Sequence, residues 1–295
     1  MQLSALILAK NEEDMIEGCL SQLSFADEII VCDQNSSDKT VEIAKKYTNK
    51  ILSSNFWQFD KNRNLLLSQA KGKWVLYVDC DERLTPQLIH EIKKVINNQE
   101  FSTYLGPQSK SSRTRTAECS AYLGPQSESS RTRTAECSAF YIPRKNFILG
   151  KHVRHGGWWP DFAPRLFKKV NLINWTGHVH ESPQINGKFG YLDEPLIHLS
   201  GRSLNLMLAK SIKWAKIEAD LFYKAGSHKV TAPKVAKATL SEFLNRYIAK
   251  MGILDGTIGL IEAIYQGLHR AMVLTYLWEI QNNSAGKFKK AKEKQ

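Results

Sequence analysis

Long apolar runs and cysteine are both scarce in this 295-residue chain. No uncharged apolar stretch reaches the roughly 18 to 20 residues that a bilayer-crossing helix needs. The nearest approach, "IGLIEAIYQGLHRAMVLTYLWEI" from Ile258, is interrupted by Glu262, His269, Arg270 and Glu279. A single buried span is therefore excluded. The N-terminus lacks the basic region of a signal peptide and soon turns acidic, so "MQLSALILAKNEED" reads as a first strand. Five cysteines form no regular framework, and Cys119 and Cys137 are copies within an internal repeat. Cys19, Cys32 and Cys80 then read as buried thiols in a reducing compartment, which excludes a disulfide scaffold. Acidic residues are in the minority, leaving a formal net charge of +12. Such a charge attracts nucleic acid, nucleotide phosphates or an anionic membrane without choosing among them. What is present is ordinary: 42% hydrophobic and 24% charged residues describe a globular protein and exclude disorder or a fibre.

Along the first hundred residues apolar segments alternate with helical patterns. "SALILA", "DEIIVCD", "KILSS" and "KWVLYVD" read as strands. Between them lie helices over 12–24, over "SDKTVEIAKKY" with Ser37 or Asp38 as cap, and over "DKNRNLLLSQA" closed by Gly72; "TPQLIHEIKKVINN" follows with Pro86 at its start. Helices of that length between strands imply a parallel, Rossmann-like α/β sheet with right-handed crossovers. "YLGPQSKSSRTRTAECSA" (104–121) then repeats at 122–139 with Lys110 replaced by Glu128. Near-identity with little apolar periodicity predicts a disordered loop insertion. Residues 140–200 are rich in aromatics, Gly and His, with short strands "FYIPRKNF", "PRLFKK" and "YLDEPLIHL". The domain expected over 1–200 is followed by helices over 201–285, one closed by Gly226, one over about 234–251 and one from Thr257 to Ile280, then a basic tail, 286–295.

Two strand ends carry candidate chemistry. "WVLYVDCDERL" places Asp79 and Asp81 one residue apart at the carboxyl end of a strand, where an open α/β sheet binds its ligand. Such a pair suits a divalent cation that also binds a diphosphate. A D-x-D pair alone is equally an acidic turn. "IIVCDQNSSDKT" ends a second strand in Asp33, and Asn35 tolerates the left-handed backbone of a sharp turn.

The order "LAKNEE", "VCDQNSSDKT", "NRNLLLSQAKGKWVLYVDCDE" resembles the family 2 glycosyltransferases, inverting enzymes of the GT-A fold. "HGGWWPDFAPRLF", "GHVHES" and "RYIAKMGILDGTIGL" are similar to the branch that builds the lipopolysaccharide core. The resemblance implies a metal-dependent, hexosyltransferase-type enzyme using a nucleotide-sugar donor and Mn or Mg. It places Asn11 and Glu12 at the nucleotide, Asp33 on uracil or ribose, and Asn64 beside the base. Asp79 and Asp81 become the metal-binding pair, Asp81 as the direct ligand, with His180 ahead of His198 as further ligand and Arg165 on the diphosphate or a neighbouring carboxylate. A base on the acceptor side is required, with Asp161 first and Glu181 second. "QNSSD" departs from the family, in which a glycine often precedes the serine.

Trp158 and Trp159 suit either a sugar ring or a core. The C-terminal helices suit a bundle, a surface for an anionic inner leaflet, or both. The expected protein is thus a cytoplasmic enzyme peripheral to the inner membrane, with a lipid-linked or lipopolysaccharide acceptor and no nucleic acid as partner. Three competing readings stand beside it. A sugar nucleotidyltransferase would want a glycine-rich basic loop after the first strand, where "LAKNEED" is acidic. A basic nucleic-acid-binding protein has no recognisable module in the chain, and a non-catalytic membrane-surface scaffold would not need the carboxylates present.

Overall fold

A computed structural model describes residues 1–97, 102–104, 131–133, 137–177 and 181–292. They form two compact units, Met1–Lys145 with Pro160–Leu199, and Asn146–Trp159 with Ser200–Gln295.

The first unit is built on β1 (Leu3–Ala9), α1 (Glu13–Leu20), β2 (Glu28–Asp33), α2 (Thr40–Ala44), β3 (Ile51–Ser53), α3 (Phe59–Gln69), β4 (Trp74–Asp79), β5 (Glu82–Leu84) and α4 (Pro86–Ile96). After the short pair β6 (Ser102–Tyr104) and β7 (Arg131–Arg133) come β8 (Cys137–Ile148), β9 (Lys151–His152), β10 (Asp161–Lys168), β11 (Leu172–Thr176), β12 (Ser182–Ile185), β13 (Lys188–Tyr191) and β14 (Leu196–His198). The sheet runs β3-β2-β1-β4-β10-β8-β14-β5, with β13 also on β8. β1, β2, β3 and β4 are parallel, whereas β10 is antiparallel to both β4 and β8. A mixed sheet flanked by helices, followed by a helical region, is the GT-A arrangement that the resemblance implies.

Burial on both faces explains why β1 is apolar apart from Ser4, whose hydroxyl donates to Glu28 Oε2 at 2.5 Å. Leu3, Ala5, Ile7 and Ala9 enter one core with Ile16 and Leu20 of α1 and Leu88, Ile92 and Val95 of α4. Leu6 enters the other with Leu66 and Leu67 of α3, Tyr77 and Trp175. Thr85 caps α4 by accepting the Leu88 N–H at 3.1 Å, and Pro86 follows it at the first helical turn.

Gly72 has a different role from the helix stop expected of it. A Cβ there would lie 2.6 Å from the Ser4 nitrogen, so glycine permits close approach to β1, and its N–H donates to Ser4 Oγ. The loop expected over the repeat also does not include all of it. Cys137, Ser138 and Ala139, the end of the second copy, open β8 and are buried. The remainder of 104–139, apart from Tyr104 and Arg131–Arg133, lies outside the described residues.

In the second unit α5 (Leu204–Lys224) and α6 (Ala232–Leu244) follow the expected helical segments, whereas α7 (Thr257–Lys292) runs past Ile280 into the segment expected as a basic tail. Gly226, at φ 71°, terminates α5 as expected of a left-handed cap. A single π turn, Asn245–Ala249, extends α6, and Gly252–Asp255 forms a 3-10 turn before α7. Residues 146–159 group with these helices although the sequence places them in the α/β segment. Trp158 packs there beside Ile148, Val153 and Met207, while Trp159 is exposed.

Candidate functional site

Parallel register brings the acidic strand ends to one rim. Asp33 is opposite Ala9 and Asp79 is opposite Leu8, so β2 and β4 end together on either side of β1. Two strand spacings, about 10 Å, separate them.

At the β2 end, the Asp33 carboxylate accepts from the Ser36 N–H and hydroxyl, at 3.0 and 2.5 Å, which closes the turn. Asn35 and Asn11 both adopt left-handed backbone, with φ of 56° and 52°. Asn11 clasps that turn, donating its N–H to Ser36 Oγ and accepting the Ser37 N–H, each at 2.8 Å. Glu12 donates its N–H to Thr40 Oγ1, and its carbonyl starts α1. The predicted nucleotide side of the rim is therefore one hydrogen-bonded pair of loops.

At the β4 end, ion pairs dominate. Asp79 is bonded by Arg165 on one oxygen and by Arg63 Nη2, at 3.3 Å, on the other. Arg63 also donates Nε to Glu181 Oε1 at 3.1 Å and lies over the Trp175 ring at 4.8 Å. Arg165 joins Asp79 to Glu82, whose carboxylate is fully buried and accepts the Asp79 N–H at 3.0 Å. Arg144 grips Asp161 through Nη2, 2.8 and 3.0 Å from the two carboxylate oxygens. These two residues face each other in register across β8 and β10. Burial works to raise the Asp79 carboxyl, but Arg165 and then Arg63, with His198 and Arg144, outweigh it and hold it well below the usual carboxylate range. Burial pushes the Cys19 and Cys80 thiols up, so both stay protonated and inert beside the site.

A backbone irregularity aims Arg165. Pro164 pairs with Tyr141 and Leu166 with Phe140, leaving Arg165 as the extra residue of a bulge. Bulges redirect a side chain at the expense of one ladder position.

Several sequence expectations change in detail. Asp79, expected on a cation, has both oxygens bonded to guanidinium groups. Asp81 lies just past the strand end, with Oδ2 3.5 Å from His198 Nε2. Asn64, expected beside a base, instead ties α3 to β11 by donating to the Trp175 carbonyl at 2.9 Å and accepting the Trp175 N–H at 2.7 Å. His180 lies outside the described residues. Sequence reasoning missed Arg63, Glu82 and Arg144. A signal for Arg63 existed: at positions 63, 66, 67 and 70 it shares the buried side of α3 with two leucines and an alanine.

Among the described residues no three His, Cys, Asp or Glu side chains form a ready cage for a metal. Asp81 and His198 offer one oxygen and one nitrogen donor. That pair suits a borderline divalent cation taking its other ligands from diphosphate oxygens and water.

Comparison with known proteins gives a consistent pattern. The sequence model described as Glycosyl transferase family 2 matches residues 4–152. An uncharacterised glycosyltransferase of Rickettsia bellii is 24% identical over 294 residues, spanning 95% of this chain and 87% of that protein. Poly(ribitol-phosphate) beta-N-acetylglucosaminyltransferase TarS of Staphylococcus aureus is 30% identical over 117 residues, 36% of this chain and 20% of its own. Glucosyl-3-phosphoglycerate synthase from Mycobacterium tuberculosis, in complex with Mn2+, UDP-glucose and glycerol 3-phosphate, aligns at 21% identity with a TM-score of 0.30, over 33% of this chain and 41% of that one.

Proposed function

The chain belongs to glycosyl transferase family 2, and from that premise we propose an inverting transfer of a sugar from a nucleotide-sugar to a lipid-linked acceptor of the lipopolysaccharide core type. The observation carrying this reading is the rim itself: Asp33 ends β2 and Asp79 ends β4, on either side of β1, with Asp81 just past Asp79, and Arg63 and Arg165 are paired with Asp79. A site that binds a sugar nucleotide needs both charges. Carboxylates meet ribose hydroxyls or a cation, and guanidinium forks meet a diphosphate.

In this reading the loops at Asn11, Glu12 and Asp33 receive the nucleoside. Asp81 and His198, with His180, hold the cation. When bound, the cation offsets the charge that builds on the departing diphosphate. Asp79 acts through the arginines: its paired oxygens fix Arg63 and Arg165, and so orient two guanidinium groups towards the donor. Asp161 takes the acceptor proton, with Glu181 as second candidate. Contact of both its oxygens with Arg144 Nη2 holds the Asp161 carboxylate in one orientation, and attack requires the acceptor hydroxyl to approach one of those oxygens. Attack comes from the side opposite the nucleotide, which inverts the anomeric centre.

Among the described residues no helix is long and apolar enough to cross a membrane. A lipid-linked acceptor would then be met by surface association, for which the basic helical region gives support.

The test is calorimetric titration with UDP- and ADP-sugars, with and without Mn2+ or Mg2+, repeated on Asp81→Ala. Metal-dependent binding that the variant loses is the expected result. Tight binding to oligonucleotides, with none to nucleotide-sugars, would overturn the reading.

A further inference from the structure

The turn joining α6 to α7 presents its apolar side chains to solvent. Ile248 is 52% exposed, Met251 49%, Ile253 49% and Leu254 61%, with Leu244 one helical turn earlier at 45%. Isolated surface leucines are common, but five large apolar side chains within eleven residues at one hairpin end form a patch. Nothing about the turn is slack. Met251 and Gly256 reverse the chain with φ of 58° and 63°, and a Cβ on Gly252 would lie 2.7 Å from the Arg246 carbonyl.

A second segment braces it. The Gly156 N–H donates to the Lys250 carbonyl at 2.8 Å, and Arg246 Nη1 donates to the Gly156 carbonyl at 3.0 Å. Asp255 accepts the N–H groups of Arg154 and His155 at 3.0 and 2.7 Å. The side chains of Ile253 and Leu254 are thus held outward on a fixed support.

Charge identifies the occupant. The unit containing this turn has eighteen Lys and Arg against seven Asp and Glu, so it carries eleven of the chain's twelve net positive charges. Lys250 belongs to the turn itself, where Arg246 is paired with Glu242 Oε1 at 2.7 Å. A second copy of so basic a unit would be repelled, whereas an anionic bilayer attracts the unit's excess cations and accepts the apolar side chains of the hairpin below its headgroups.

We infer that this hairpin end inserts into an anionic lipid bilayer, with Ile253 and Leu254 as its deepest side chains and Lys250 at headgroup level. The inference rests on the peripheral-membrane reading above and narrows it to one element.

Flotation of the full chain with phosphatidylcholine vesicles, with and without phosphatidylglycerol, tests both levels separately. The expected result is binding to the anionic vesicles, weakened at least tenfold by Ile253→Asp with Leu254→Asp and unchanged by Leu206→Asp, an exposed leucine on α5. If the paired substitution lowers the helical circular dichroism signal, Leu254→Gln alone provides the comparison. Equal flotation of native chain and hairpin variant overturns the inference and leaves the peripheral reading standing. No flotation of the native chain overturns both. Dimerisation by light scattering that the hairpin variant abolishes would also overturn the inference, because the occupant is then a second copy.

Discussion

The two units of this chain divide charge in opposite ways. The sheet unit has twenty-three Lys and Arg against twenty-two Asp and Glu, and its rim brings guanidinium and carboxylate groups together in pairs. The helical unit holds nearly all the excess charge. It also has seventeen of the twenty-two exposed large apolar side chains found among the described residues. Paired charge at the rim fixes geometry, which chemistry on a small substrate needs. Excess charge beside apolar surface gives long-range attraction without a fixed partner, which suits an extended surface. One net-charge figure of +12 therefore averages over two different uses of charge.

The sharpest way to break this contrast is to unpair the rim. Arg165→Met leaves Asp79 and the buried Glu82 without their shared cation, and should destabilise the fold by about 3–5 kcal/mol in urea unfolding. Next in size is Asp81→Ala, expected to lower sugar transfer by about 10²–10³-fold if it holds the cation at the leaving diphosphate. Because Asp81 is partly exposed, its melting temperature should barely change. A large drop in stability instead would make Asp81 a structural partner of His198.

Acid should separate the units in opposite directions. The folded-state pKa of Asp79 is depressed, so its contribution is complete above the unfolded value near 3.8 and is lost as pH falls further towards the folded one. Glu262 on α7 is raised by burial, against the weaker lowering effects of Gln266, Arg246 and Trp158. Its contribution to stability is therefore greatest below the unfolded value near 4.5 and declines as pH rises through the folded one. Glu262→Gln should flatten the pH dependence of stability above pH 4.5, and Arg165→Met should move the onset of acid unfolding upward. The smallest effect is expected at the exposed Asp220–Lys224 pair on α5, at 2.6 Å. Lys224→Ala should cost only about 0.3–0.5 kcal/mol, less in high salt.

The elements surrounding the rim are legible in the amino-acid order because each leaves a periodic trace. "LSALILA" and "WVLYVD" are apolar at nearly every buried position, Ser4 excepted, and the acidic ends of β2 and β4 follow directly from where "EIIVCD" and "WVLYVD" stop. Asn35 in a left-handed turn and Pro86 at a helix start are local features with local causes. The site is less completely legible. Asp33, Asp79 and Asp81 stand out at the strand ends, but the carboxylate joined to Arg165 besides Asp79 belongs to Glu82, which in sequence is only one more acid in a turn. The amide of Asn64 looks like the functional group of "KNRN", yet its neighbour Arg63 is the residue that reaches the acidic cluster. On a helix, adjacent residues point about 100° apart, so a motif alone does not say which of two neighbours faces inward.

By itself the sequence determined the strand and helix order, the acidic ends of β2 and β4, and the concentration of basic residues towards the C-terminus, since all three depend on composition and short-range periodicity. Only the tertiary structure decided the pairing of charges. Arg165 and Asp79 are 86 positions apart and meet because β10 lies antiparallel to β4 and bulges at Arg165. A shift of one residue in that register would turn the guanidinium to the opposite face, and no local pattern in either segment encodes the register.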